Sequence, residues 1–335
     1  MPLISVVVPC YNEEESLPLF ARELEGVTCG MIDCDPDLSF ELVLVDDGSQ
    51  DATLEEMRRL AAESWRGFSV RWTSFSRNFG KEAGMLAGLR MARGDYVTTM
   101  DADMQDPPSL LPKMYAILRS DASYDCVATR RSTRAGEPPV RSFFSRMFYR
   151  IINRMSETEF VDGARDFRLM RRRMVDAVLS LGEYNRFSKG IFSWVGFETF
   201  WLEYENVERA AGTTKWNFWS LARYSVDGIV GFSTAPLALA SVLGAVFSLI
   251  ALVFAVVVVI RALCFGDPVA GWPSMMSVIL LLGGLNLLVL GILGQYLGKT
   301  YMEVKARPLY VVRETSDAEE PAKSGPRESV EPKQP

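Results

Sequence analysis

Short β-branched runs alternate with helix-spaced stretches over the first half of the chain, and this alternation predicts its elements. Ile4 to Val8 is an apolar run that stops at Pro9. Leu42 to Val45 is a second, stopping at Asp46-Asp47-Gly48, and Tyr96 to Met100 is a third, ending at Asp101. Cys126 to Thr129 reads as a fourth. Glu14 to Glu25, Ala52 to Glu63 and Gly80 to Met91 fall between them with helical character. Strands alternating with helices predict an α/β fold built on a mainly parallel sheet with covered faces. The polar segments follow the C-terminal ends of the strands, where open α/β sheets bind ligands. Asp106-Pro107-Pro108 predicts a helix N-cap followed by proline in the first turn. There is no internal repeat.

The pattern changes in the last third. No charged residue occurs from Gly228 to Ile260, and none from Trp272 to Leu297. Each run exceeds the ~20 apolar residues that a membrane helix needs. The competing explanation is a pair of helices buried in a soluble core. The expected organisation is a catalytic domain over residues 1–225, two transmembrane helices over 229–300, and a tail over 301–335 that is disordered from about Glu314. The tail is rich in Glu, Pro, Ser and Lys and nearly devoid of apolar residues, hence the expected disorder. The opening MPLISVVVPCYNEEE has no basic n-region, so the first domain is expected in the cytosol. Arg209, Lys215 and Arg223 precede the hairpin and Lys299, Lys305, Arg307 and Arg313 follow it, whereas the connection Arg261 to Gly271 carries one basic residue, Arg261. The positive-inside rule then puts both hairpin ends on the cytosolic side of an inner (plasma) membrane.

Charge adds a further feature. The net charge is −6, yet residues 130–173 hold 12 Lys+Arg against 5 Asp+Glu. Such a block calls for an anionic partner, a phosphate or a membrane surface; nothing in the pattern points to nucleic acid. Arg141 to Arg154 reads as a helix. At ~100° per residue Arg146, Arg150 and Arg154 share one face, opposite Phe143, Phe144, Met147, Phe148, Ile151 and Ile152. This is the pattern of an interfacial helix, or of an amphipathic helix packed on the soluble core. A second interfacial helix is expected over residues 216–228. Arg141 points the same way as Ser145, away from the basic face, and is free for a specific task. The five cysteines (10, 29, 34, 126 and 264) have no metal-ligand or redox spacing, which fits a reduced compartment. There is no histidine, which excludes every histidine-based triad and zinc-hydrolase mechanism.

The chemistry-bearing residues gather at strand ends. Asp101-Ala102-Asp103-Met104-Gln105-Asp106 can aim two carboxylates and an amide oxygen into one site. Oxygen donors of this kind suit Mg²⁺ or Mn²⁺ shared with a diphosphate, whose leaving charge the metal offsets. Taken alone, paired aspartates also cap helices and form turns. Asp46-Asp47-Gly48-Ser49 alone reads as a turn with an N-cap. Pro9-Cys10-Tyr11-Asn12-Glu13 offers a ring and hydrogen bonds to a base, or is an ordinary loop.

The chain resembles family 2 glycosyltransferases of GT-A (Rossmann-like) fold, in particular the polyprenyl-phosphate branch with the bactoprenol glucosyltransferases and dolichol-phosphate mannose synthase. The resemblance runs from about Ser5 to Arg307. It rests on VVVPCYNEEESL, LVDDGSQDAT, SRNFGKEAGMLAGLRMARGDYVTTMDADMQDPP, GARDFRLM and GTTKWNFWSLARYSVDGIVGFS. It implies that Pro9, Tyr11, Glu13 and Asp46 line a nucleoside pocket, and that Asp101, Asp103 and Gln105 handle metal and diphosphate. It implies that Arg130, Arg141 and Ser145 bind the acceptor phosphate, with Arg131 beside Arg130 as an alternative. Asp166 matches a carboxylate near the reaction centre, and Lys81, at the start of a motif helix, is implied among the residues that bind the nucleotide sugar. The implied partners are a nucleotide sugar, a polyprenyl phosphate and the membrane; a homo-oligomer is compatible.

A phosphate monoester has a second pKa of about 6, so it is largely ionised near neutral pH and needs no strong base. Arginines suit it because their planar forks match phosphate. Asp166 is therefore expected to orient a substrate or an arginine rather than accept a proton, and one direct displacement would invert the sugar carbon. UDP-glucose is the expected donor, with GDP-mannose next. A processive polysaccharide synthase would carry a Gln-x-x-Arg-Trp signature, which is absent. A non-catalytic lipid carrier or scaffold is the rival outside enzymology; release of nucleotide diphosphate only on addition of polyprenyl phosphate separates the two.

Overall fold

The computed structural model of the chain describes residues 1–131, 153–154, 161, 163–204, 230–231, 233–265 and 271–317. The first half alternates β1 (Leu3–Cys10), α1 (Leu17–Cys34), β2 (Ser39–Asp46), α2 (Thr53–Ala62), β3 (Ser69–Phe75), α3 (Lys81–Met91), β4 (Tyr96–Thr99) and α4 (Leu111–Ser120). Then come β5 (Cys126–Arg131), β6 (Ala164–Arg171), α5 (Arg172–Ser180), α6 (Ser188–Trp194) and β7 (Thr199–Tyr204). Two long helices, α7 (Ala235–Phe265) and α8 (Trp272–Lys305), precede a last strand, β8 (Val312–Thr315).

The described strands form one sheet in the order β7-β5-β6-β4-β1-β2-β3-β8. Strand β1 lies inside it, parallel to both β2 and β4. Its alternating side chains feed two cores. Ile4, Val6 and Val8 meet Leu17, Phe20, Leu24, Met57 and Met114 on one face. Val7 meets Leu89, Met174, Val175 and Phe192 on the other. Burial on both faces explains why β1 and β2 are nearly continuous apolar runs. Helix α3 rides close on β1 because Gly88 has no side chain: a Cβ there would stand 2.2 Å from Val7 Cγ1. That close approach brings the start of α3 to the strand ends.

The sheet is mixed rather than mainly parallel. Strand β6 runs antiparallel to β4 and β5, and β8 antiparallel to β3. Strands β3, β6, β7 and β8 went unread in the sequence because charged and polar residues interrupt them; β6 reads ARDFRLMR. Asp106 is not a helix cap. The short 3₁₀ turn Pro108–Leu110 has no side-chain cap bond, and Asp106 is buried with partners of its own.

Helices α7 and α8 each contain a stretch long and apolar enough to cross a membrane, Ala235–Phe254 and Leu281–Lys305. Only 6 % and 0 % of these stretches are buried, and Leu249, Leu287 and Leu290 lie exposed along them. A soluble core therefore does not account for their apolar character. The Tyr296 hydroxyl of α8 donates to the Ser233 carbonyl at 2.6 Å.

After α8 the chain returns to the sheet. Tyr310 stacks on Phe75 with centroids 4.8 Å apart, and β8 pairs with β3. Arg71 Nη1 donates to Glu41 at 2.9 Å and its Nε to Asp317 at 2.8 Å. Disorder was expected from about Glu314, but an edge strand and a partly buried arginine, Arg71, hold residues 314–317. Residues 318–335 and the expected interfacial helices, apart from 153–154, lie outside the described residues.

Candidate active site

The site is built at the C-terminal ends of β1, β2 and β4, beside β1, where connections leave in opposite directions. The loops after β1 and β2 are laced together. Asn12 N donates to Ser49 Oγ at 3.0 Å, Gln50 N to Asn12 Oδ1 at 2.9 Å, and Glu13 N to Thr53 Oγ1 at 2.8 Å. Asn12 (φ 57°) and Met104 (φ 61°) take the left-handed conformation in the loops after β1 and β4. Non-glycine residues adopt it only where surrounding structure compels it, and such places cluster at functional sites.

Pro9, Tyr11, Glu13 and Asp46 fall on this rim. Asp46 is fully buried, and its oxygens accept from Ser49 N at 2.8 Å and Ser74 Oγ at 2.6 Å. It braces the loops after β1 and β2 from behind. Asp47 turns the other way and accepts from Phe79 N at 2.6 Å and Gly80 N at 2.9 Å. Gly48 (φ 66°) permits the turn, since a Cβ there would lie 2.4 Å from the Arg77 carbonyl carbon. The Asp-Asp-Gly-Ser turn thus fixes the entry to α3 and with it Lys81.

Lys81 is the hub. Its Nζ lies 2.7 Å from Asp101 Oδ1 and 2.7 Å from Asp166 Oδ2. Desolvation opposes the lysine charge, but Asp101 and Asp166 outweigh it and drive its pKa up. Protein atoms crowd the ammonium, yet 43 % of the side chain reaches solvent, so the pair is screened at the cleft mouth. Desolvation likewise opposes ionisation of Asp166. Lys81, then Lys189, the Lys81 hydrogen bond and Arg168 prevail and hold its carboxyl well below the usual range. A carboxylate so stabilised is a weak base. Asp166 sits in an irregular part of β6, where the pairing with β5 shifts register between Ala128 and Arg130. Its carbonyl accepts from Thr99 Oγ1 at 2.5 Å.

The loop after β4 is held by a second hub, Arg165. Its Nε donates to Asp106 at 3.0 Å and its Nη2 to Gln105 Oε1 at 3.1 Å. Tyr204 also donates to Asp106, at 2.7 Å. Burial raises the Asp106 pKa and Arg165 opposes the rise; burial and Asp106 push Tyr204 up to about 12. Gln105 thus turns its amide oxygen to Arg165, and Asp103 Oδ1 accepts from Gln105 N at 3.1 Å. Among the described residues no three acidic, cysteine or histidine side chains gather as a metal cage. Two carboxylates from Asp101 and Asp103 nevertheless fit Mg²⁺ or Mn²⁺, because such ions use one or two carboxylates and complete their shell with water and substrate phosphates.

Arg130 ends on the far side of β6 from Asp101, paired with Glu203 at 2.5 Å. The Arg131 side chain, Arg141 and Ser145 lie outside the described residues. Reasoning from sequence missed Asp47, Arg165, Asp106 and Tyr204. Arg165 was adjacent to Asp166 in GARDF, but nothing local says that it reaches back to the loop after β4.

The family description "Glycosyl transferase family 2" matches residues 5–179. A Synechocystis protein described as an uncharacterized glycosyltransferase is 41 % identical over 92 % of this chain and 94 % of its own. The prophage bactoprenol glucosyl transferase homolog of Escherichia coli K12 is 37 % identical over 92 % of this chain and 98 % of its own. The chain belongs to glycosyl transferase family 2. This glycosyltransferase has a GT-A-like mixed sheet with helices, and its Asp-x-Asp turn follows β4. Among solved structures, a Pyrobaculum calidifontis mannosyltransferase in complex with GDP-Man and Mn²⁺ aligns with TM-score 0.45 at 19 % identity, over 88 % of this chain and 87 % of its own. Lys81, Asp101 and Asp166 were all expected to be site residues, Lys81 among those binding the nucleotide sugar; the structure brings the three together, with the lysine between the two carboxylates.

Proposed function

We propose that the enzyme transfers glucose from UDP-glucose to a polyprenyl phosphate, with inversion, at the cytosolic face of the plasma membrane. The observation that carries the reading is the 38 % identity to a Shigella phage SfX protein named bactoprenol glucosyl transferase, which extends over 92 % of the chain and so includes both apolar helices. The chemistry of the site supports it. An acceptor oxygen of the phosphate monoester attacks the sugar C1 as the bond from C1 to the diphosphate oxygen breaks. The nucleoside diphosphate leaves with the electron pair, and a dianionic acceptor has no proton to lose.

The chain's residues have separate tasks. Pro9, Tyr11 and Glu13 border the nucleoside, and Asp46 supports their loop. Asp101, Asp103 and Gln105 serve the diphosphate; a divalent metal held there would supply charge neutralisation for the leaving group. Lys81 keeps Asp101 and Asp166 in register, and Asp166 orients substrate as a carboxylate. Arg130 or Arg131, with Arg141 and Ser145, draw the lipid phosphate from the interface. That β8 belongs to the same sheet as β1–β7 supports a reading in which both flanks of the hairpin lie on one side of the membrane. Sugar nucleotides are cytosolic, which favours that side.

A panel of nucleotide sugars offered to the purified membrane protein with undecaprenyl phosphate tests the reading. UDP-glucose should yield a lipid-linked glucose and free UDP only when both substrates are present. Preference for GDP-mannose would replace the donor, and nucleotide release independent of the lipid would overturn the acceptor.

A further inference from the structure

The second apolar helix outlasts its apolar run. The uncharged stretch of α8 stops at Leu297, and the helix continues past Lys299 to Lys305. In this last part Glu303 turns to the catalytic domain. Its Oε1 accepts from Tyr184 N at 2.8 Å and from Asn185 N at 3.3 Å. Ala306, which ends the helix, takes the left-handed conformation (φ 47°) and donates its N–H to the Glu303 carbonyl at 3.1 Å. A non-glycine residue in that conformation marks a turn compelled by its surroundings. Glu183 stands beside the contact as a like charge: burial raises its pKa, Arg186 opposes the rise and Glu303 adds to it. Two backbone donors thus hold Glu303 in place against repulsion, by charge-assisted bonds.

Tyr184 and Asn185 belong to the loop between α5 and α6. Arg186 ties that loop back to α5, donating to the Leu181 carbonyl at 2.6 Å. The end of the loop is held by α3. Ser188 N lies 3.1 Å from both carboxylate oxygens of Glu82, and Ser188 Oγ also donates to Glu82. Helix α6 has no side-chain cap of its own, so Glu82 supplies from α3 what the residues before α6 lack. The neighbours of this clasp carry the chemistry. Lys81 precedes Glu82 and lies 2.7 Å from Asp166, and Lys189 follows Ser188 and acts electrostatically on the same carboxylate. Beside the clasp lies a cavity of about 400 Å³, lined by Phe79, Glu82, Tyr184, Asn185 and Leu309 among others. The loop has no close packing on that side, so its hydrogen bonds decide where it stands.

We propose that Glu303 and Glu82 are positioning residues that couple the exit turn of α8 to the reaction centre. Glu303 sets the loop at Tyr184 and Asn185. The loop sets Ser188, and Ser188 with Glu82 fixes the spacing of Lys81 and Lys189 about Asp166. The inference rests on the reaction proposed above and adds to it a route by which the apolar hairpin governs the rate of transfer.

Steady-state kinetics of the full-length detergent-solubilised enzyme, with undecaprenyl phosphate and the donor that the sugar panel selects, test the coupling. Glu303→Ala should lower kcat about tenfold, the scale of one hydrogen bond to a charged group, with the KM for the nucleotide sugar unchanged. Glu303→Gln should recover most of the rate, because its amide oxygen still accepts from both N–H groups. Val304→Ala, at the exposed next position, should match wild type. Glu82→Ala should also lower kcat, and adding Glu303→Ala to it should lower kcat no further, since contacts in series are not additive. Melting curves and titration with UDP check that each variant is folded; if Glu82→Ala is not, Ser188→Ala takes its place in the double variant. Wild-type kcat in Glu303→Ala, no recovery in Glu303→Gln, or a loss in the double variant equal to the product of the single losses would each overturn the coupling. So would a rate that falls only with the folded fraction. Transfer by wild type with an unaffected Glu303→Ala removes the coupling and leaves the function standing. Absence of transfer from every nucleotide sugar to a prenyl phosphate removes the function, and the coupling with it.

Discussion

Lys81 Nζ and Asp166 Oδ2 are 2.7 Å apart, and the same ammonium reaches Asp101 on the other side. One lysine from the start of α3 thus ties the loop after β4 to strand β6, which the Arg165–Asp106 pair also joins directly. Lys81→Met should lower kcat roughly hundredfold, within the range of a lost electrostatic contact at the reacting atoms. It should also alter the acid stability. A depressed carboxylate stabilises the fold above its unfolded pKa, and that contribution is lost as pH falls through the lower folded value. Without the lysine that depression is lost, so the variant should melt below wild type near pH 7 and the gap should narrow as pH falls below about 4, the pKa of an unfolded aspartate. Coincident curves would argue against the coupling.

Asp166→Asn should slow transfer without removing the acid limb of the pH–rate profile. That limb belongs to the acceptor phosphate, with its pKa of about 6, because Asp166 is held ionised far below it. Disappearance of the limb in the asparagine variant would make Asp166 the base.

Asp103→Ala should reduce transfer to below about 1 % of wild type, comparable to the loss of a key charge-stabilising group, while the protein stays folded and membrane-bound. Near-normal turnover in Mg²⁺- or Mn²⁺-replete buffer would remove Asp103 from the metal site.

Arg71→Met should destabilise the catalytic domain. It strands Glu41, a buried carboxylate that also accepts from Ser5 Oγ at 2.5 Å, and it releases Asp317. Breaking one partner of a buried pair costs about 3 kcal/mol, which lowers Tm by roughly 5–10 °C for a domain of this size. Asp317→Asn should cost less, because Asp317 is only partly buried. Differential scanning fluorimetry ranks the two.

A cysteine introduced at Asp267 should react with an impermeant thiol reagent added outside intact cells, and one at Ser324 should not. The opposite pattern would reverse the topology and move the reaction off the cytosolic face.

The parts of this fold legible in the sequence were those whose physics is local. β1, β2 and β4 sit in the sheet interior, so Val6 and Val43 belong to apolar runs and Val97 to a short β-branched one with Thr98 and Thr99. The apolar helices declare themselves by length alone. β6 did not, because Arg165, Asp166 and Arg168 interrupt it with residues whose partners are distant in sequence. β8 did not, because a four-residue edge strand gains its order from Trp72 and Arg71, more than 240 positions earlier. The site follows the same division: Asp101 and Asp103 announce themselves at a strand end, whereas the contacts of Lys81 and Arg165 exist only once α3 and β6 have been brought to that edge.

The return of the chain to the sheet after α8 has a consequence for trimming. An edge strand with open N–H and C=O groups invites pairing with another copy, and β8 closes that edge of β3. A chain cut at residue 305 would keep both apolar helices and every residue of the cleft. It would nonetheless bare the backbone of Ser69–Phe75 and leave Arg71 without Asp317. Such a shortened enzyme should assemble edge to edge, so the short stretch that looks dispensable from its composition acts as the seal that keeps neighbouring molecules apart.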